Sequence, residues 1–250
     1  MEKEKTAGVL GSGAKRPTAT RIKENLSHID NFVFDLDNTL YPRTCDLFAQ
    51  VDVLITKYVV SITGFEHEKA RRLQKDYYRD HGTTMNGLMI DYGIDPDHYL
   101  NNVHEIDYSI VKQDKQLVEK ITSLKGRKFI FTNADIGHAT AVLEQLGFGD
   151  IFDGMFDIRM SGFNPKPKAI AYDKFVNNFE IETNKAIMFD DLEKNLKVAS
   201  QIGMQTVHVV PNDDFTHEHV ENWELGRADD ADHVHHITND LAQFIDKFLT

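Results

Sequence analysis

The sequence predicts an α/β protein built around a parallel β-sheet, and three observations support this class. Short apolar runs without polar alternation, the pattern of strands buried on both faces, lie at 31–34, 128–131, 186–189 and 206–210. Helical periodicity separates these runs, and polar or acidic residues follow the ends of three of them. Alternating strands and helices indicate βαβ units and a doubly wound parallel sheet, in which ligands bind outside the carboxyl ends of the strands.

The predicted elements follow one another along the chain with one long interruption. Residues 1–27 are polar, rich in Gly, Lys and Thr, and are predicted to be a disordered tail without the apolar segment of a secretory signal. A core domain is expected to comprise 28–45 and 107–250. Residues 46–106 show helical periodicity and no credible strand, so they are predicted to form an all-helical cap domain inserted after the first strand.

The remaining predicted helices lie between the core strands and at the end of the chain. Their patterns cover about 113–124, 136–146, 168–179, 192–202 and 238–249. Gly147 and Gly203 follow two of these patterns directly, at the position where a helix commonly ends on a glycine. Nearby histidines (His217, His219, His233, His235 and His236) are expected to be solvated rather than to bind a metal, since no cysteine or carboxylate frame accompanies them.

Composition and charge limit the possible partners. The formal net charge is −12 and the basic residues are scattered, which disfavours nucleic-acid polymers. A small anionic substrate is compatible with this charge, because a metal ion and one lysine can reverse the field locally. Cys45 is the only cysteine, which favours the reducing cytoplasm. No stretch has the apolar length of a bilayer span, so no membrane association is expected, and a monomer or homodimer is expected.

Asp35 and Asp37 directly follow the first predicted strand, two residues apart. In a regular strand this spacing places both side chains on one face, where two carboxylates repel unless a cation lies between them. Mg²⁺ favours such oxygen ligands and keeps waters for a phosphate. One carboxylate can then act as nucleophile and the other as proton donor or acceptor. A plain turn, with acidic side chains bonded to the backbone, is the alternative interpretation.

Three further motifs supply the other groups of a phosphate site. Thr132 and Asn133 end the second predicted strand, where a hydroxyl and amides can bind phosphate oxygens without adding charge. Lys166 lies between two prolines that stiffen its loop. Asp190 and Asp191 end a buried run, which is costly for adjacent carboxylates unless they pair or bind a metal. Taken singly, these motifs also have plain structural interpretations: a strand end or helix cap for Thr132 and Asn133, a solvated lysine for Lys166, and an acidic helix start for Asp190 and Asp191.

In this order the four motifs resemble the haloacid dehalogenase superfamily of Mg²⁺-dependent phosphohydrolases, over about residues 30 to 210. The resemblance implies a Rossmann-like three-layer α/β/α core with a helical cap of type I. It implies that Asp35 is the nucleophile that forms an aspartyl-phosphate and that Asp37 is the general acid/base. Mg²⁺ would be bound by the carboxylates of Asp35 and Asp191 and by the backbone carbonyl of Asp37, with Asp190 in a supporting position.

The same resemblance implies that Thr132 and Lys166 hold the phosphoryl group, and Asn133 is expected to contact it as well. Asp37 argues against dehalogenation, because dehalogenases of this superfamily lack the second acid, whereas phosphatases and phosphomutases keep it.

Segments 35–42, 75–84 and 131–133 are similar to the pyrimidine 5′-nucleotidase branch, which hydrolyses UMP, CMP and related monophosphates. We therefore expect a nucleoside monophosphate as the substrate. Tyr78, His81 and Thr84, with Tyr77, lie where a cap helix could close over the base, although tyrosines at helical spacing more often belong to a core. A phosphoglycolate or sugar-phosphate phosphatase and a phosphomutase are the alternatives within the superfamily. A non-catalytic phosphate-binding scaffold is a distant one, since no motif residue is missing.

Overall fold

A computed structural model of the chain describes residues 26–211 and 231–249. The described residues contain a six-stranded sheet with the order β3-β2-β1-β4-β5-β6. Its strands are β1 (Asn31–Phe34), β2 (Arg127–Phe131), β3 (Gly154–Phe156), β4 (Ala186–Asp190), β5 (Gln205–Val209) and β6 (His236–Thr238). Every neighbouring pair is parallel. The predicted parallel sheet is therefore confirmed.

Nine α-helices lie within the described ranges. They are α1 (Leu47–Thr63), α2 (His67–His81), α3 (Thr84–Tyr92), α4 (Pro96–Val103), α5 (Lys115–Ser123), α6 (Ile136–Leu146), α7 (Ala169–Phe179), α8 (Glu193–Gln201) and α9 (Leu241–Phe248). Two core helices begin later than their apolar patterns, because the Asp114 and Asp240 side chains accept hydrogen bonds from backbone N–H groups and thereby cap α5 and α9.

The sheet is covered on both faces, since alternate residues of each strand point in opposite directions. Phe34 and Phe189 stack on one face with ring centroids 4.7 Å apart, beneath α5, α6 and α9. Val33 and Phe131 lie on the other face, beneath α7 and α8. This arrangement confirms the Rossmann-like three-layer α/β/α fold.

The strand order brings the ends of β1, β2 and β4 together. Because β2 lies on one side of β1 and β4 on the other, the order of the sheet reverses between β1 and β4. In open α/β sheets this switch point is where ligands bind. The motif residues Asp35, Thr132 and Asp190 follow or end these three strands.

Helices α1 to α4 all lie between β1 and β2 in the chain and share a hydrophobic cluster of their own, which includes Tyr58, Val59 and Leu88. Ile158, from the segment after β3, also packs into this cluster. No single helix among the described residues is long and apolar enough to cross a membrane. Together α1 and α2 reach the required length and composition, but they are bent by 107°.

Two strands and several residues near the ends of the chain differ from the sequence-based predictions, and parts of both ends lie outside the described residues. The three-residue strands β3 and β6 at the sheet edges were not predicted. His236, predicted to be solvated, is only 1% exposed, because it lies in β6 with its ring against Phe244. His217 and His219 lie outside the described residues, as does the predicted tail up to residue 25. Leu26, assigned to that tail, is buried in the core.

Candidate active site

A buried lysine joins two carboxylates at the ends of β1 and β4. Lys166 Nζ donates to Asp35 Oδ1 and to Asp190 Oδ2, both at 2.8 Å, and only 1% of its side chain is exposed. Burial alone would lower the pKa of Lys166, but the adjacent Asp190 and Asp35 carboxylates outweigh burial and raise it. The ammonium therefore stays charged in the protein interior.

Three carboxylates converge beside this lysine. Asp35, Asp190 and Asp191 each offer an oxygen, and these oxygens all lie within 4.8 Å of one another. Burial raises the pKa of Asp35 well above its usual value, and Lys166 opposes this only in part. Burial also raises the pKa of Asp191 to about 6, against the opposing charge of Arg43, whose Nη2 lies 2.6 Å from Asp191 Oδ2. The cluster holds more negative charge than its protein neighbours neutralise, which suits a hard divalent cation.

Asp190 and Asp191 have different surroundings. Asp190 is fully buried, and its oxygens accept hydrogen bonds from Lys166, from the backbone of Leu192 and from the amide of Asn195. Asp191 lines the cavity described below. Its more open position suits a direct metal ligand, and the closed network of Asp190 suits a supporting residue that orients Lys166.

Asn133 holds the loop that carries the lysine. Its Oδ1 accepts the Lys166 backbone N–H at 2.7 Å, and its Nδ2 donates to the Lys166 carbonyl at 3.1 Å. Both polar atoms of the side chain therefore position Lys166, where sequence analysis expected a direct phosphate contact. The Thr132 hydroxyl accepts the Ala134 N–H at 3.0 Å, and Thr132 lines the cavity.

Asp37 is held by two donors that sequence analysis did not single out. Tyr41 Oη donates to Asp37 Oδ1 at 2.5 Å, and His138 Nε2 lies 2.8 Å from the same oxygen. Burial alone would raise the pKa of Asp37, but His138 and Tyr41 outweigh it and lower the pKa. Burial and the Asp37 charge raise the pKa of Tyr41, so its hydroxyl remains a donor.

Asp135 anchors the start of α6, which carries His138. Its Oδ1 accepts the His138 backbone N–H at 2.8 Å, while Oδ2 lies 3.2 Å from Arg159 Nη1 and 3.4 Å from His104 Nδ1. Burial would raise the pKa of Asp135, but the nearby His104 and Arg159 side chains and the hydrogen bond from the His138 backbone outweigh burial and lower the pKa well below the usual range. The helix start is thus fixed by an ionised cap.

A cavity of about 400 Å³ opens between these residues and the helices α1 to α4. Its core side includes Asp35, Asp37, Thr132, Lys166 and Asp191. Tyr78 and Thr84 line its opposite side, with Lys194 Nζ 4.1 Å from the centre of the Tyr78 ring. The Thr84 hydroxyl is itself engaged, because it donates to the Gln74 carbonyl at 3.0 Å.

Tyr77 and His81 lie away from this cavity. The Tyr77 ring packs against Gly87 in the cluster of α1 to α4, and its hydroxyl donates to Asp91 Oδ2 at 2.5 Å. The His81 ring contacts Tyr77, with centroids 5.6 Å apart. Neither side chain is placed to contact a group bound in the cavity.

A charged cluster on α1 and α2 also lines the cavity and was missed by sequence analysis. Asp52 accepts hydrogen bonds from Arg71 Nη1 at 2.6 Å and from Gln74 Nε2 at 2.7 Å, and Lys75 Nζ lies 3.4 Å from it. These residues occur in an amphipathic helical pattern that is equally typical of a solvated face. No local motif in the sequence distinguishes a helix face that lines a cavity from one that faces solvent.

The loop of Lys166 touches the end of α2. Gly82 follows α2 with φ +85°, and a Cβ at this position would lie 2.9 Å from Pro165 Cγ. Only glycine combines this left-handed conformation with such a close approach.

Comparison with known proteins gives consistent matches. A family model described as a haloacid dehalogenase-like hydrolase matches residues 29–203. The Saccharomyces cerevisiae protein named phosphate metabolism protein 8 is 28% identical over 209 residues, which cover 76% of this chain. The match covers 64% of the yeast protein, less than two thirds of its length.

Among solved structures, the magnesium-bound HAD-hydrolase YfnB from Bacillus subtilis superposes with a TM-score of 0.55 at 13% identity, covering 89% of this chain and 99% of YfnB. A HAD phosphatase from Thermococcus onnurineus gives a TM-score of 0.51 at 16% identity, covering 74% of this chain and 88% of the phosphatase. At these identities the two structures support the fold alone.

Proposed function

Because the chain belongs to the haloacid dehalogenase-like hydrolases, we propose that it is a Mg²⁺-dependent phosphomonoesterase. The observation that carries the proposal is the buried group formed by Asp35, Lys166, Asp190 and Asp191 at adjoining strand ends. This group offers a nucleophilic carboxylate, an ammonium and metal-ligating oxygens at the edge of one cavity. Those are the requirements of phosphoryl transfer, in which positioning and charge neutralisation supply most of the catalysis.

The residues present fit a magnesium ion. We propose that the carboxylates of Asp35 and Asp191 and the backbone carbonyl of Asp37 bind it. Burial, reinforced by the neighbouring carboxylates, keeps the pKa values of Asp35 and Asp191 raised although Lys166 and Arg43 oppose it, so the protein alone does not fully stabilise the charged forms of these carboxylates. When bound, Mg²⁺ neutralises the carboxylates and the phosphoryl oxygens.

In the proposed reaction an oxygen of Asp35 attacks phosphorus, and the bond from phosphorus to the substrate oxygen breaks. Lys166, held beside Asp35, neutralises charge on the phosphoryl group. Asp37 gives a proton to the departing oxygen and then takes one from the water that hydrolyses the aspartyl-phosphate. The presence of Asp37 favours hydrolysis of a phosphate ester over dehalogenation.

We further propose pyrimidine nucleoside monophosphates as substrates. Ligand cavities for drug-sized molecules measure about 300–1,000 Å³, and the cavity of about 400 Å³ falls in this class. Its wall offers an aromatic ring, Tyr78, and the charged groups of Asp52, Arg71 and Lys75 for a base and a ribose. Phosphoglycolate would leave most of this space unfilled, so its hydrolysis is the second candidate.

Phosphate release from a panel of monophosphates tests both the proposed enzyme class and the proposed substrate. UMP and CMP are compared with AMP, a sugar phosphate and phosphoglycolate, each with Mg²⁺ and with EDTA. We expect the fastest turnover with UMP and CMP, complete loss in EDTA, and no turnover by Asp35→Asn, whose circular dichroism should match the wild type. Release from phosphoglycolate with none from UMP would overturn the substrate, and no Mg²⁺-dependent release at all would overturn the enzyme class.

Adjacent tyrosines of α2 provide a matched test of base recognition. Tyr78→Ala should change the ratio of UMP to sugar-phosphate turnover by about fivefold or more, since stacking on a base contributes about 1–3 kcal/mol. Tyr77→Phe removes only the hydrogen bond to Asp91, away from the cavity, and should leave the ratio unchanged. An unchanged ratio in Tyr78→Ala would exclude its ring from the substrate contact.

A further inference from the structure

We propose that His138 is a positioning residue for Asp37, fixing one carboxylate oxygen so that the other can transfer protons to and from the substrate. This inference rests on the proposed hydrolase activity and assigns a role to a residue outside the four motifs. It follows from where α6 begins, from the contacts at both ends of the imidazole ring, and from how the contacts of Asp37 are distributed over its two oxygens.

His138 reaches the site because α6 starts beside it. The helix follows β2, so its first turn lies at the same sheet edge as Asp35 and Asp37. The Asp135 cap fixes the backbone of His138 through a hydrogen bond of 2.8 Å. The His138 side chain is 1% exposed, so burial restricts its movement.

Both nitrogens of the ring have partners. Nε2 lies 2.8 Å from Asp37 Oδ1, and Nδ1 lies 3.1 Å from Tyr108 Oη. Tyr108 is itself fixed, since its hydroxyl donates to the His104 carbonyl at 3.1 Å. The His104 ring stacks on that of His138, with centroids 4.4 Å apart. The ring is therefore set in one orientation, with Nε2 directed at the carboxylate.

The two contacts of the Asp37 carboxylate fall on one oxygen. Tyr41 and His138 both bind Oδ1, and among the described residues no hydrogen bond reaches Oδ2. Asp37 lines the cavity, and 17% of its side chain is exposed. A carboxylate held at one oxygen presents the other in a defined direction, which is what proton transfer to a substrate oxygen requires.

The proton balance makes the role testable. In the first step, which starts from the protonated form of the Asp37 carboxyl, Asp35 bonds to phosphorus, the bond from phosphorus to the leaving oxygen breaks, and that oxygen takes the Asp37 proton. In the second step Asp37 takes a proton from water, the water oxygen bonds to phosphorus, and the bond from phosphorus to Asp35 breaks. Loss of positioning should slow both steps for a nucleotide. It should spare the first step for p-nitrophenyl phosphate, whose leaving group departs without a proton.

His138→Phe keeps the size of the ring and removes the contact with Asp37, whereas in His138→Gln the amide nitrogen can replace Nε2. Rapid-quench kinetics with UMP and with p-nitrophenyl phosphate would be measured for both, with Mg²⁺ present. Glu144→Gln, at an exposed position of the same helix, serves as the control and should behave as the wild type.

For His138→Phe we expect kcat with UMP to fall about 100-fold, within the range contributed by a positioned acid or base, with KM nearly unchanged. With p-nitrophenyl phosphate we expect a nitrophenol burst at nearly the wild-type rate, then slow turnover with acid-stable accumulation of phosphorylated enzyme. His138→Gln should recover at least several-fold of the lost turnover. Tyr41→Phe, which removes the other donor to Oδ1 at almost constant volume, should give the same dependence on leaving group even if His138→Phe does not fold.

Equal losses for both substrates without phosphoenzyme accumulation, or wild-type kinetics in a folded His138→Phe variant, would overturn the inference alone, provided the wild type is active and Asp35→Asn is not. If His138→Phe does not fold, wild-type kinetics in Tyr41→Phe and in His138→Gln would overturn it. A wild-type chain that releases no phosphate with Mg²⁺ would contradict the proposed function, and the inference with it.

Discussion

Replacing Lys166 by Met should destabilise the metal-free protein strongly. Met has a similar length but no charge, so the change leaves Asp35 and the fully buried Asp190 without the ammonium that lies 2.8 Å from each. Removing one partner of a buried ion pair costs about 3–5 kcal/mol. One ammonium serves two carboxylates here, so we expect a loss in the upper half of that range at pH 8.

The loss of stability in Lys166→Met should depend on pH, and Asp35 determines whether this loss grows or shrinks as the pH rises. Its folded pKa is raised above the unfolded value of about 4. Such a group stabilises the fold fully below the unfolded pKa, and this contribution is lost as pH rises through the folded pKa. Removing Lys166 raises the folded pKa further, so the variant should be closer to the wild type at pH 5 than at pH 8.

Urea unfolding followed by circular dichroism in EDTA measures both effects. Lys185→Met, which removes an exposed ion pair with Glu182, is the control and should leave the unfolding free energy nearly unchanged, because exposed ion pairs contribute little. The double variant Lys166→Met/Asp190→Asn should recover about 1–3 kcal/mol, because it removes one of the two unpaired charges. A loss below about 1 kcal/mol at pH 8, or no recovery in the double variant, would refute an energetic role for this ion pair.

Three further predictions concern packing, the helix cap and the metal. Gly87→Ala would place a Cβ 2.2 Å from Tyr77 Cγ and should lower the unfolding free energy by about 1–3 kcal/mol in thermal melts. The control Gly137→Ala, whose Cβ would have its nearest neighbour at 3.4 Å, should lose no stability in the same measurement. The difference in unfolding free energy between the wild type and Asp135→Asn, measured in urea, should be full at pH 7 and shrink below about pH 4. The reason is that a carboxylate whose folded pKa is lowered stabilises the fold only above its unfolded pKa. A difference that stays constant with pH would contradict an ionised cap. Mg²⁺ at a hundredfold excess over its Kd should stabilise the wild type by about 2.7 kcal/mol and Asp191→Asn far less, and equal thermal shifts would exclude Asp191 as a ligand.

The central strands were predictable because most of their residues are buried on both faces of the sheet. The runs at β1, β2, β4 and β5 are mostly apolar and almost wholly buried, apart from the charged start of β2 and the polar residues of β5, and few other elements share this pattern. The edge strands β3 and β6 have three residues each, too few for a pattern to be distinguished from a loop.

Site residues that directly follow a strand could be predicted from the sequence. Site residues that come together only through tertiary packing could not. Asp35 and Asp191 follow buried runs directly, whereas Arg43 contacts Asp191 across 148 positions of the chain. Tyr77 and Tyr78 show a different limit. They are adjacent in α2 and point about 100° apart, and the sequence does not reveal which side of the helix faces the cavity.

The contact between Gly82 and Pro165 limits which helical inserts could be exchanged between related proteins. A transplanted helical insert would have to end α2 on glycine to pass over the prolyl ring, or it would press on the loop that presents the lysine. Chimaeras that ignore this junction should lose activity through the displaced ammonium even where each donated segment folds, and restoring glycine at this single position should repair them.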